Sequence, residues 1–133
     1  MPEDIRVAIR SNLDIVTARH EGRGLSIRIG FSATDATLIA TAISELARNI
    51  VSYAREGEIL LRVLNPGDLR GIMIVSRDSG PGIASIDDAM RDGFSTSGGL
   101  GLGLPGVRRL MDEFLIKSEP GEGTTVCVTK WLR

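Results

Sequence analysis

Thr34-Asp35-Ala36-Thr37-Leu38-Ile39-Ala40-Thr41-Ala42-Ile43-Ser44-Glu45-Leu46-Ala47-Arg48-Asn49-Ile50-Val51-Ser52-Tyr53-Ala54 is the longest helical pattern in the chain. It holds neither Gly nor Pro, and Asp35 stands in the first turn, where the helix dipole favours an acid. Ile39, Ile43, Leu46, Ile50 and Ala54 define an apolar stripe. At ~100° per residue, Glu45 and Asn49 lie about 40° apart on one face, and their midpoint is roughly 120° from the centre of that stripe. The pair therefore falls at the margin of the face expected to be buried. A carboxylate so placed can accept a hydroxyl proton, and an amide oxygen can bind a hard cation without adding charge. The alternative is that both are solvated helix residues.

Working outward, Ile5, Val7 and Ile9 alternate with Arg6, Ala8 and Arg10, the period-two pattern of a half-buried strand. Ser11 or Asn12 is placed to cap a helix through Ile15, Val16 and Ala18, while Gly22 and Gly24 leave open whether it runs on to Ile29. Residues 30–32 read as a break. Beyond Ala54, strands are expected at Glu58 to Leu64 and Gly71 to Arg77, joined by Asn65-Pro66-Gly67-Asp68 as a type II turn. A short helix over Ser85 to Arg91 and another from Pro105 to about Glu113 are expected to follow. Two last strands, Phe114 to Ser118 and Thr124 to Trp131, flank Pro120-Gly121-Glu122-Gly123. About five strands, four helices and a hairpin within the sheet make an α+β two-layer sandwich, with residues 1–133 as a single domain.

Three further stretches carry chemistry. Asp78-Ser79-Gly80-Pro81-Gly82 follows an apolar strand, where an aspartate can accept hydrogen bonds from an amino group and glycines let backbone approach a flat ring. The same residues also suit a plain turn. Ser97-Gly98-Gly99-Leu100-Gly101-Leu102-Gly103 precedes a helix, an arrangement that presents N–H groups to phosphate oxygens. Gly101, Gly103 and Gly106 fit G-x-G-x-x-G, but a dinucleotide fingerprint directly follows a strand, and this one follows a loop and a short helix. No Gly-Lys pair exists, which excludes a P-loop; Asp92-Gly93-Phe94 has no accompanying kinase catalytic-loop motif. Gly121-Glu122-Gly123-Thr124 places a hydroxyl at the entry to the last strand.

Composition narrows the classes. A net charge of −1 gives no footprint for nucleic acid or an anionic membrane, and 4% aromatic residues argue against base stacking. Cys127, the single cysteine, sits between Val126 and Val128 and reads as a buried bystander. His20 is the single histidine and has no partner for a zinc site. With no signal-peptide core and no run near ~20 apolar residues, a soluble cytoplasmic protein is expected.

Taken in order, Glu-x-x-x-Asn on a helix, a strand ending Asp-x-Gly-x-Gly, a Gly-rich lid and Gly-x-Gly-Thr resemble the Bergerat ATP-binding fold. The resemblance runs from Ser32 onward and implies a mixed sheet with helices on one face. Finer matches lie at residues 41–49, 92–101 and 103–107, in Leu110-Met111-Asp112-Glu113-Phe114 and in Lys130-Trp131-Leu132-Arg133. There the chain looks like the switch-protein serine/threonine kinases of bacterial stressosomes, the RsbT type. The resemblance implies ATP and Mg²⁺, with Asn49 holding the ion and Glu45 as general base. It implies that Asp78 binds the adenine amino group, that Gly80 and Gly82 permit the approach, and that Thr124 supports the contact. Gly98, Gly99, Leu100, Gly101, Leu102 and Gly103 become the phosphate lid. Family substrates are STAS-domain scaffold proteins, and the released kinase activates a protein phosphatase. Rival readings are an anti-sigma-factor kinase, a histidine-kinase catalytic domain, a hydrolytic ATPase and a non-catalytic nucleotide-gated module. No arginine is assigned to the phosphates: Arg48 lies next to Asn49 but points ~100° away from it, and Arg108 and Arg109 are equally plausible as surface residues.

Overall fold

A computed structural model describes residues 4–80, 90 and 103–133. The expected helix over 85–91, residue 90 apart, together with Gly82 and residues 98–102 of the lid, lies outside the described residues. Within them the order is β1 (Ile5–Ile9), α1 (Asn12–Ile29), α2 (Ala33–Asn49), a π-helical turn (Ile50–Ala54), β2 (Gly57–Leu64), β3 (Gly71–Asp78), α3 (Gly103–Leu110), β4 (Glu113–Glu119) and β5 (Gly123–Trp131). None of these helices is long and apolar enough to cross a membrane.

The five strands form one sheet in the order β1-β2-β3-β5-β4. Every pairing is antiparallel, where a mixed sheet was expected. The reason is the position of β5. Strands β3 and β4 run in the same direction, each being antiparallel to β5, but β5 returns between them and takes both sets of hydrogen bonds. Alternate residues of the strands, among them Val7, Ile9, Ile59, Leu61, Ile72, Ile74, Val126 and Val128, join Ile15, Leu25, Ile39, Ile43, Leu46, Leu104 and Val107 in one core. The helices thus cover one face, as expected of a two-layer α+β sandwich. The other face carries ion pairs such as Arg6–Glu58 at 3.1 Å and Arg62–Asp4 at 2.6 Å.

Helix α1 runs through both of its glycines to Ile29. A Cβ on Gly22 would fall 2.0 Å from Ile43 Cδ1, so the missing side chain is what allows α1 to approach α2 this closely. The break at residues 30–32 is a Schellman ending: Gly30, at φ 117°, donates to Ile27 O and Phe31 donates to Ser26 O. Ser32 then opens α2, its hydroxyl accepting from the Asp35 N–H at 3.1 Å, a cap worth about 1 kcal/mol. Between β2 and β3 the turn closes from Leu69 N to Pro66 O, placing Gly67 (φ 61°) first of the two central residues. That turn lies one residue beyond the expected type II turn, with its positive φ at the first central residue, within the connection from Leu64 to Gly71.

Candidate functional site

Helix α2 is flanked by α1 on one side and α3 on the other. Burial therefore extends past its apolar stripe to Ser44 and Glu45, and Glu45 is only 2% exposed. It sits inside the packed layer and not at its margin. Its charge is met by Arg48, whose Nη1 lies 2.9 Å from Glu45 Oε1. The Arg48 side chain is 31% exposed, so it leads from the buried carboxylate towards solvent. Asn49, half-buried, ends the α-helical part of the element.

From Ile50 to Ala54 the hydrogen-bonding widens to a π-helical turn, a rare departure that is frequent at functional sites. Arg55 follows at φ 73° and ψ −45°, a positive φ uncommon for a non-glycine residue, and turns the chain into β2. The turn delivers Ala54 against Gly80, where an added Cβ would fall 2.5 Å from Ala54 Cβ. One continuous helical element thus joins Glu45 and Asn49 to the Asp78 segment.

Asp78 closes β3, and its Oδ1 accepts two backbone N–H groups, from Gly80 at 2.9 Å and from Thr124 at 3.2 Å. The carboxylate is therefore fixed through one oxygen, with Oδ2 outside both bonds. Thr124 also shares a hydrogen bond with Ser118, Oγ to Oγ1 at 2.8 Å. Behind them Gly123, at φ 105°, lies against the Asp78–Ser79 backbone, and a Cβ there would meet Asp78 O at 2.2 Å. Gly57 is held as closely, with a Cβ position 2.4 Å from Arg77 O. Three strand ends and a helix end converge here without side chains in the way.

The structure thus brings together Asp78, Gly80 and Thr124, and links them through Ala54 to Glu45 and Asn49. Gly103 is buried at the start of α3, with φ 54°. Sequence reasoning did not assign Arg48 to Glu45, although their i,i+3 spacing is that of helix neighbours. Gly57, Gly123 and Ser118 were also missed as site residues, because only tertiary packing gives them a part. Arg108 and Arg109 are exposed on α3, and His20 is exposed on α1. Cys127 is half-buried, not fully buried, because it lies on the sheet face away from the helices, in register with Val75 and Leu115. Burial, and to a lesser degree Glu113, pushes its thiol pKa up, so it stays protonated and a poor nucleophile.

As a metal site the pocket is sparse. Among the described residues no group of three His, Cys, Asp or Glu side chains could hold an ion. Asn49 offers one neutral oxygen beside a carboxylate already paired with arginine. That donor set fits Mg²⁺ carried on phosphate oxygens and water, which needs only one or two protein ligands.

Residues 34–133 match the family model of histidine kinase-, DNA gyrase B- and HSP90-like ATPases. The chain is 52% identical over 127 residues to the serine/threonine-protein kinase RsbT of Bacillus subtilis (strain 168), covering 96% of each chain. It is 34% identical over 98 residues to the anti-sigma F factor of Caldanaerobacter subterraneus subsp. tengcongensis, covering 71% of this chain and 68% of the relative. The anti-sigma F factor of Thermoanaerobacter sp. (strain X514) is 33% identical over 100 residues, with the same coverage.

Proposed function

The chain belongs to the histidine kinase-, DNA gyrase B- and HSP90-like ATPase family and is an RsbT-like serine/threonine protein kinase; from that premise we propose how its residues divide the work. Asp78 receives the adenine amino group on Oδ2, while the N–H groups of Gly80 and Thr124 hold Oδ1. Gly80 and Gly82 let the ring approach, and residues 98–103 cover the triphosphate. Asn49 holds Mg²⁺, which when bound neutralises phosphate charge. Glu45 is the general base.

The transfer is a simple exchange. The serine or threonine hydroxyl oxygen bonds to the γ-phosphorus, and its proton passes to the Glu45 carboxylate. The bond from that phosphorus to the β,γ-bridging oxygen breaks, and ADP leaves with the electron pair. Such a reaction asks mainly for positioning and charge stabilisation. The observation that carries this reading is the helical connection itself. A buried carboxylate and a ring-recognition carboxylate are fixed at two points of one element, α2 and its π-helical end, through the Ala54–Gly80 contact.

The substrates in this proposal are STAS-domain scaffold proteins of a cytoplasmic partner-switching (stressosome) pathway, and the released kinase then binds and activates a protein phosphatase. Identity of 52% across 96% of an RsbT kinase, against 34% across 71% for an anti-sigma F factor, supports the scaffold over a sigma factor as partner. The test is incubation with Mg²⁺ and γ-labelled ATP, with and without a STAS-domain protein from the same genome, beside Glu45→Ala. Label on a scaffold Ser or Thr, lost in the variant, is the expected result. ATP binding without transfer to any scaffold would leave a nucleotide-gated binding module in its place.

A further inference from the structure

A glutamate with 3% of its side chain exposed is costly to keep charged unless a partner compensates it. Here that partner lies on the same helix, one turn on. Arg48 Nη1 donates to Glu45 Oε1 at 2.9 Å, and both residues precede the π-helical turn, within the regular part of α2. A glutamate carboxylate rotates in a broad, roughly two-fold well about its last torsion. Anchoring one oxygen narrows that well and distinguishes the two oxygens: Oε1 is engaged, and Oε2 is left to receive a proton.

We propose that Arg48 is a positioning residue of the kinase: it holds Glu45 by Oε1 so that Oε2 faces the incoming hydroxyl, and it acts through Glu45 without binding the phosphates itself. The proposal rests on Glu45 being the general base. In the transfer, the hydroxyl proton goes to Oε2 as the oxygen–phosphorus bond forms, and the Arg48–Oε1 hydrogen bond stays intact throughout. Misplacing a reacting group by an ångström costs on the order of 100-fold in rate. General bases themselves contribute roughly 10²–10⁴-fold, so an unanchored Glu45 forfeits much of its contribution.

The experiment is a double-mutant cycle on the full chain, with Arg48→Met, Arg48→Lys, Glu45→Gln and Glu45→Gln/Arg48→Met. For each, kcat for transfer to the protein substrate is measured beside the Kd of ATP and the melting temperature. Arg48→Met is expected to lower kcat about 100-fold while ATP affinity stays near wild type. Arg48→Lys is expected to recover part of the loss. The double variant is expected to be no slower than Glu45→Gln alone, because the two residues act as one unit. If Arg48→Met does not fold, the same cycle is read with Arg48→Lys, which keeps a positive charge beside the carboxylate. Weaker ATP binding with kcat intact would make Arg48 a phosphate ligand and overturn the proposal. So would losses that multiply in the double variant, or a lower melting temperature with full kcat. Wild-type turnover in Glu45→Gln would remove the base assignment itself, an outcome distinct from failure of the Arg48 role.

Discussion

Replacing Asp78 by asparagine changes one atom and leaves the fold's own demands on that side chain met. Both backbone donors, Gly80 and Thr124, bond to Oδ1, and an asparagine carbonyl oxygen can accept both. Stability is therefore expected to stay within about 1 kcal/mol of wild type, the two hydrogen bonds losing only their charge assistance. Recognition changes far more. Oδ2 becomes an NH₂ group, and an adenine amino group opposite it meets a donor where it had a charged acceptor. Losing a hydrogen bond to a charged group costs about 1.5–3 kcal/mol. Leaving the donors unsatisfied adds about another 1 kcal/mol or more. At a factor of ten per 1.4 kcal/mol, ATP should bind roughly 10²–10³-fold more weakly. A purine with a carbonyl at that position presents the acceptor that the new amide wants. Inosine triphosphate should accordingly bind the variant better than ATP does, reversing the wild-type preference. Calorimetric titration of both nucleotides, beside thermal melts of the free proteins, gives the numbers. Wild-type ATP affinity in Asp78→Asn would mean that Oδ2 does not face the ring, and the nucleotide assignment would fall with it.

Gly123→Ala puts a Cβ 2.2 Å from Asp78 O at φ 105°, a clash with backbone that no rotamer relieves; a loss of about 2–4 kcal/mol is expected, checked by urea denaturation, together with weaker ATP binding. Gly22→Val drives its first carbon to 2.0 Å from the fully buried Ile43, so overpacking should cost at least about 1–3 kcal/mol while ATP affinity, measured on the folded protein, stays unchanged. Cys127 has its thiol pKa raised by burial, so its thiolate fraction at pH 8 is below that of a free cysteine; disulfide reagents should label it more slowly in the native protein than in the unfolded chain, with the rate rising towards higher pH. Equal rates in the two states would contradict that placement.

Much of the fold was legible because it is written locally. Alternation along Ile5–Ile9 and the two hairpins gave the strands, and the run free of Gly and Pro from Thr34 gave α2, whose cap at Ser32 had read only as part of a break. The continuation of α1 past Gly22 was not legible. Glycine costs about 1 kcal/mol in a helix interior, and its compensation, a close approach of Ile43, lies 21 positions away (43 − 22). Sheet direction was misjudged for a similar reason: the insertion of β5 between β3 and β4 leaves no mark within any one strand. For the candidate site, residue types were readable but depth was not. A helical wheel places Glu45 beside the apolar stripe, and only the arrival of α1 and α3 on both flanks of α2 decides that it is buried.

That burial bears on why one helix carries so many of the chosen residues. Glu45 is compensated by Arg48 one turn on, and Asn49 follows at once; the π-helical turn then carries the chain to Ala54, which touches Gly80, whose own N–H fixes Asp78. Each link in this series is short-range and sterically tight. Together they relate two carboxylates separated by 33 positions in sequence (78 − 45) through packed backbone instead of long side chains. In the proposed arrangement, a nucleotide seated on Asp78 needs little further reorganisation of the protein to present its far end to Glu45, and that is where phosphoryl transfer gains most from a rigid scaffold. The absence of side chains at Gly80 and Gly123 serves the same end. Gly80 packs on Ala54, so even one added methyl group there would lengthen the path between the two carboxylates, while one on Gly123 would press on the backbone of Asp78 itself. The glycines of this site thus act as spacers of defined thickness, and their conformational freedom matters where φ is positive, at Gly103 and Gly123.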